Sequence, residues 1–169
     1  MKHDSSNRIH RTAIVGPSVK LGRNNYIGPG CIIGGPCESR KNWNPDAPGM
    51  VIIGDNNIFT GLVTIDGGME NITIIGNDTF WMKHSHGGHD CIVGDGATIS
   101  CGAKIGGHAS IGGGTNIGLN ATIHQRVEVP NGCMIGMGAA VTKRTAMREG
   151  YKYVGVPARE LGENKQQKR

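Results

Sequence analysis

Residues 93–123 read VGDGATISCGAKIGGHASIGGGTNIGLNATI, and every sixth residue is aliphatic: Val93, Ile99, Ile105, Ile111, Ile117 and Ile123. The residue four places after each lead is small: Ala97, Ala103, Ala109, Thr115 and Ala121. An amphipathic helix repeats near 3.6 residues and a half-buried strand repeats at two, so neither gives this spacing. A period of six with one large and one small apolar site fits a parallel β-helix. The large side chain fills the interior of a prism and the small one fits at a corner. A glycine follows most leads, and the sequence places the tight turn there.

The register extends in both directions. It starts with Ile9, Val15, Leu21, Ile27 and Ile33, stops at PCESRKNWNPDAPGM (residues 36–50), and resumes at Ile53, Phe59 and Ile65. After a pause of four extra residues it runs unbroken from Ile75 to Val141. Of twenty lead positions, eighteen are aliphatic or Phe; Trp81 and Gly87 are the consecutive exceptions. The indole is expected to fill the volume that Gly87 leaves. Asn25 is the exception at the small site. The expected organisation is a polar segment at 1–8, a β-helix over 9–146 with a loop insertion at 36–50, and a short tail at 147–169.

Composition narrows the function classes. The chain has 169 residues, 29 of them Gly, with only 4% aromatic, a net charge of +5 and a pI near 9.1. Its Lys and Arg are scattered, apart from the closing KQQKR, and no aromatics interleave them, so a nucleic-acid surface is not expected. No apolar run is long enough to cross a membrane and no signal-peptide core opens the chain; the expectation is a soluble, cytoplasmic protein. Five cysteines in such a chain do not read as a disulfide framework. The register puts Cys31, Cys37, Cys91 and Cys133 inside and turns only Cys101 outward.

Chemistry concentrates in HSHGGHDC, residues 84–91. Three histidines at H-x-H-x-x-H spacing suggest a metal site, and the same cluster suits a catalytic base. If each coil takes three hexads, residues 18 apart stack, so 107 and 125 lie above His89. His108 is one place after the first and His124 one place before the second. His89, His108 and His124 are therefore expected on one outward flank of three successive coils. His86 falls at the corner just before it, and His84 on another face.

The hexads resemble those of left-handed hexapeptide-repeat β-helix proteins over residues 9 to about 145, which implies an all-β triangular prism. HGGHDC, followed by Gly107-His108 and His124-Gln125, more specifically resembles the UDP-N-acetylglucosamine O-acyltransferase family of lipid A synthesis. IHRTAIVGP at the start and VTIDGG at 63–68 are also similar to that family. The resemblance implies an acyltransferase that moves an acyl group from acyl-CoA or an acyl carrier protein to a hydroxyl or amine of a sugar nucleotide. It implies His89 as general base, Asp90 as its orienting partner and the Gly107 N–H as oxyanion donor. His86, His108, His124 and Gln125 become substrate contacts, no bound cofactor or metal is implied, and a homotrimer places the site between prisms. The chemistry is consistent: a sugar hydroxyl needs a base that titrates near neutrality, and the thioester oxyanion needs a fixed donor.

Several positions depart from that family. Asp66 replaces the His of its T-I-H-R-G motif. Trp43 stands nearest its loop Lys, with Lys41 close by as the expected substrate contact. Only 28 residues follow Val141, too few for the family's C-terminal helical region. Met137 is expected on the coil above the flank, limiting acyl length. YVGVPARELG resembles the closing signature of acetyl-CoA-dependent hexapeptide enzymes and offers Arg159 to a phosphate. Two alternatives stay open. One is a γ-class carbonic-anhydrase-like metalloenzyme using His84 and His89, although PGMVII two coils earlier supplies no third His. The other is a non-catalytic β-helix scaffold.

Overall fold

The computed structural model describes residues 4–40, 43–47 and 49–165. Its strands, most of them two residues long, fall in rotation on three faces. The first face has nine strands, running from Arg8–Ile9 through Phe80–Trp81 and Met134–Ile135 to a closing pair, Tyr151–Val154 and Arg159–Glu163. The second has seven, from Ile14–Val15 through His86–Gly87 and Lys104–Ile105 to Ala140–Val141. The third has six, from Val19–Leu21 to Glu128–Val129. This is the parallel β-helix that the hexads predict, in the left-handed form that the resemblance implies. No helix among the described residues is long and apolar enough to cross a membrane.

The strand partners give the coil length directly. His86 pairs with Lys104 and Lys104 with Thr122, a step of 18 residues. The step widens to 32 at Val19 and Val51, across the insertion, and to 22 at Thr64 and His86, across the four extra residues. Both insertions are thus extruded while the strands on either side keep parallel pairing. Among the described residues only the closing pair is antiparallel.

Nearly all lead residues from Ile27 to Val141 are buried, as are Ala97, Ala103, Ala109, Ala121 and Ala139 at the small site. Cys31, Cys37, Cys91 and Cys133 are buried and Cys101 is exposed, as the register requires. Trp81 is wholly buried and stacks on Phe59, with centroids 5.9 Å apart. A Cβ at Gly87 would come within 3.2 Å of the Trp81 ring and 3.0 Å of Ile65 Cδ1, so the indole does fill the space of the missing side chain. Asn25 is not an isolated lapse. Its side chain accepts from Asn57 N–H at 2.9 Å and donates to the Gly54 carbonyl at 2.9 Å; Asn57 repeats the pattern with Thr79 and Gly76. A polar ladder inside the prism is tolerated because its members are satisfied coil by coil.

The tight turn does begin at the glycine after the lead, with Ala109 N–H donating to the Gly106 carbonyl and Ala121 N–H to the Gly118 carbonyl, but that glycine is not its left-handed residue. Most glycines after the leads have ordinary φ. They are required because the next coil passes too close: a Cβ at Gly106 would lie 2.6 Å from Gln125 N, and one at Gly94 2.7 Å from Gly113 N. The left-handed residue comes two places later. It is often Gly or Asn, but at one corner it is Asp90, His108 and Arg126, with φ of 59°, 57° and 61°. Bulky residues rarely adopt this conformation. Here the coil geometry imposes it and so fixes where these three side chains leave the backbone.

Candidate active site

Asp90, His108 and Arg126 stack on successive coils at the corner that follows the second face, and His89, Gly107 and Gln125 form the column beside them. His108 N–H donates to the His89 carbonyl and Arg126 N–H to the Gly107 carbonyl, which locks the two columns together. His89 Nδ1 lies 2.8 Å from Asp90 Oδ2. The other carboxylate oxygen, Oδ1, accepts three consecutive backbone N–H groups, from Met69 at 2.9 Å, Glu70 at 3.1 Å and Asn71 at 2.7 Å. Asp90 N–H in turn donates to Thr73 Oγ1 at 2.9 Å. These amides belong to the four-residue extrusion, so the break in the hexad register is the clamp on Asp90. Burial opposes ionisation of this carboxyl, but His89 and the three amides outweigh it and hold the group below the usual carboxylate range.

With Nδ1 committed to Asp90, the Nε2 edge of His89 faces Gly107. A Cβ there would sit 2.7 Å from Nε2. Gly107 is therefore required by the ring itself. At the next corner the equivalent N–H groups are capped by side chains, Asn77 by Asp95 Oδ1 at 2.7 Å and Gly113 by Asn131 Oδ1 at 2.8 Å. The Gly107 N–H has no acceptor among the described residues.

His108 packs edge-on to His89, with centroids 5.0 Å apart and planes at 86°. Its Nε2 lies 3.5 Å from Asp90 Oδ2 and 3.8 Å from Glu70 Oε2, and Arg126 approaches Glu70 Oε2 at 3.8 Å. Glu70 and Arg126 thus form an exposed rim over the His108 ring. Sequence reading omits Glu70 because it lies in the out-of-register extrusion. Arg126 was visible as the residue one coil above His108.

His86 occupies the strand before the corner. Its Nδ1 meets Thr64 Oγ1 at 2.8 Å and its Nε2 lies 3.7 Å from Asp66 Oδ2. Burial lowers its pKa. Burial, with the neighbouring Glu38 charge, pushes the Asp66 carboxyl up to about 6. Asp66 is the side chain that reading by family motif discounts most. Its signal was present in the register: it is an ionisable group in the place after a lead that other coils mostly give to Gly. His86, Asp66, Thr64, Glu38, Trp43 and Lys104 line a cavity of about 430 Å³.

The remaining expected residues are dispersed. His124 is exposed and its Nδ1 meets the Gln125 carbonyl at 2.9 Å, with no contact to His89 or His108 among the described residues. Gln125 is exposed above Gly107. Met137 is 75% exposed, but it does not lie above the His89 flank. It shares a corner with Leu119 and Cys101, because its separation from His89 is not a whole number of coils. His84 is exposed, and its carbonyl accepts from Lys104 Nζ. Arg159 is exposed in the closing strand, with its guanidinium 3.5 Å from the Ala158 carbonyl. Lys41 lies outside the described residues.

One trio, His89, Asp90 and His108, places ligand-type atoms within 4.8 Å of one another. The arrangement of Asp90 argues for orientation of His89 instead of metal ligation. Oδ1 is saturated by amides and Oδ2 faces the ring nitrogen. His84, the other residue of the metalloenzyme reading, points from a different corner.

Residues 72–107 match the family described as bacterial transferase hexapeptide (six repeats). An acyl-[acyl-carrier-protein]–UDP-N-acetylglucosamine O-acyltransferase from Stenotrophomonas maltophilia is 28% identical over 175 residues, covering 80% of this chain and 66% of its own length. The protein of the same name from Burkholderia orbicola is 31% identical, over 73% of this chain and 47% of its own. This chain therefore spans between about half and two thirds of these curated relatives. A solved UDP-N-acetylglucosamine acyltransferase from Bacteroides fragilis superposes with a TM-score of 0.87 at 27% identity, over 94% of this chain and 62% of that one. The Moraxella catarrhalis enzyme gives 0.73 at 27%, over 97% and 73%. Residues 72–107 thus carry hexapeptide repeats of the bacterial transferase type, and the β-helix resembles that of the UDP-N-acetylglucosamine O-acyltransferases.

Proposed function

We propose that the chain is an acyltransferase, moving an acyl group from acyl-CoA or an acyl carrier protein to a sugar nucleotide of the UDP-N-acetylglucosamine type. The observation that carries this reading is the His89–Asp90 pair, whose free Nε2 edge lies against Gly107, a residue whose N–H has no acceptor among the described residues. In the proposed step Nε2 takes the proton of the acceptor's hydroxyl or amine as its heteroatom attacks the thioester carbonyl. Asp90 keeps Nδ1 protonated and stabilises the imidazolium that forms. The Gly107 N–H donates to the oxyanion. Collapse expels the thiolate, which takes the proton back from Nε2, giving the acylated sugar and the free thiol.

His108 and His86 flank the base and are assigned to substrate. His124 and Gln125, one coil further up the same corner, suit the more distant part of the nucleotide or the acyl chain. The site lies open on one flank of the prism, which supports a homotrimer in which a neighbouring prism completes it. A limit on acyl length from Met137 then requires the neighbour's copy of that corner.

Thiol release tests the reading with acyl-CoA and acyl-carrier donors of graded length against a set of UDP-sugars. Turnover with at least one pair that needs both substrates is expected. Release that does not depend on the sugar nucleotide, or none with any pair, contradicts it.

A further inference from the structure

The cavity beside His86 is charged in an unusual way for a pocket that adjoins a nucleotide-sugar site. Asp66 is 7% exposed, faces His86 Nε2 and feels the charges of both Glu38 and His89. Glu38 lines the mouth of the same cavity, and Trp43 and Ile32 supply its apolar side. Lys104 is the one basic residue other than His86 among the lining residues, and its Nζ is engaged by the His84 carbonyl. Two carboxylates against one ammonium leave the cavity net negative when both acids are ionised, which disfavours a phosphate. They give it the opposite preference, for a group rich in N–H donors and carrying positive charge.

We propose that this cavity is a subsite for a protonated amino group on the acceptor, held between Asp66, Glu38 and the Trp43 indole. The proposal rests on the acyltransfer reading for the acceptor's identity, but the subsite itself does not require catalysis. The local geometry favours such a group in three ways. At 3.7 Å the Asp66–His86 contact is too long for a hydrogen bond, so both atoms have acceptor capacity left. In the tautomer whose Nδ1–H donates to Thr64 Oγ1, Nε2 is an acceptor, and the subsite requires this tautomer so that one ammonium reaches both Nε2 and Asp66 Oδ2. Trp43 lines the same cavity, and an indole that meets a cation with its face adds cation–π attraction. The buried Asp66 carboxyl, raised to about 6, has no Lys or Arg in ion-pair contact among the described residues, and an ammonium would supply that pairing. His86 stands one turn of chain from His89, so the amino group is placed close to the reacting centre while remaining distinct from the base.

Calorimetry on the full chain at pH 7, with no acyl donor present, tests this with UDP-glucosamine against UDP-N-acetylglucosamine and UDP-glucose. UDP-glucosamine is expected to bind roughly tenfold more tightly than either, the gain of one charge-assisted hydrogen bond. Asp66→Asn should bring the three within about twofold, and Glu38→Gln, on the exposed rim, should reduce the preference while leaving the buried wall intact. Equal affinities, no detectable binding of any of the three, or a preference that survives both substitutions would overturn the subsite. An amine preference that follows Asp66 and Glu38, in a protein that shows no thiol release with any donor, would leave the subsite standing and remove the acyltransfer reading instead.

Discussion

The proposed base, His89, takes its orientation from Asp90, and Asp90 is fixed by the amides of Met69, Glu70 and Asn71. Asp90→Asn should lower kcat by roughly 10²–10⁴-fold with a much smaller effect on KM, measured by steady-state thiol release. The same residue has a signature in stability. Its folded pKa is depressed, so the stability it contributes is present above the unfolded value near 3.9 and is lost as pH falls through the folded one. Asp66 has the opposite sign. Its carboxyl is raised to about 6, so the folded protein loses stability as pH climbs from the unfolded value through 6. Asp66→Asn should therefore stabilise the fold by about 1–3 kcal/mol at pH 7.5, and the gain should shrink toward zero near pH 4. Urea melts at the two pH values check it; a constant difference would contradict the assignment. His89, Asp90 and Gly107 were readable in the sequence because motif and register agree there. Glu70 was not, because the extrusion that carries it obeys no register, and its role depends on where three backbone amides point.

The elements themselves are too short to have a propensity worth reading, since most strands are two residues long. What was legible was the stacking rule. A large residue every sixth place must meet its own kind one coil away, which specified parallel pairing before any strand could be assigned. The turn begins at the glycine after the lead, but its left-handed residue lies two places on, for a physical reason. Glycine after a lead answers to the closeness of the next coil, whereas the left-handed place tolerates Asn, Asp and even His or Arg. The Trp81–Gly87 exchange of volume and the Asn25–Asn57–Thr79 ladder are the two features on which coil stacking near the site depends. Trp81→Ala should cost about 3–5 kcal/mol in denaturant melts, since the cavity opens between Phe59 and Gly87 with nothing to refill it. Asn57→Ala leaves the Gly76 carbonyl and the Thr79 N–H without their buried partner, and should cost about 2–4 kcal/mol.

At the scale of the molecule, one corner of the prism gathers the chemistry and the others do not. Asp95, Asn77 and Asn131 cap the neighbouring corner, while His89, Gly107 and Gln125 leave theirs open. Such a flank encloses nothing by itself, so a trimer is expected, with a mass near three chains in light scattering at working concentration; a monomer with full activity would contradict this. Placing Met137 above His89 failed because the register was followed for periodicity but not for which of three corners a residue occupies. The central claim is that His89 acts as the base on an acceptor bound at this corner. Its most direct test is thiol release by the wild-type chain and by His89→Ala, with the best donor and UDP-sugar pair. A kcat lower by roughly 10²–10⁴-fold, in a variant with unchanged circular dichroism and unchanged melting, is the predicted result. Unchanged turnover in that folded variant would contradict the account.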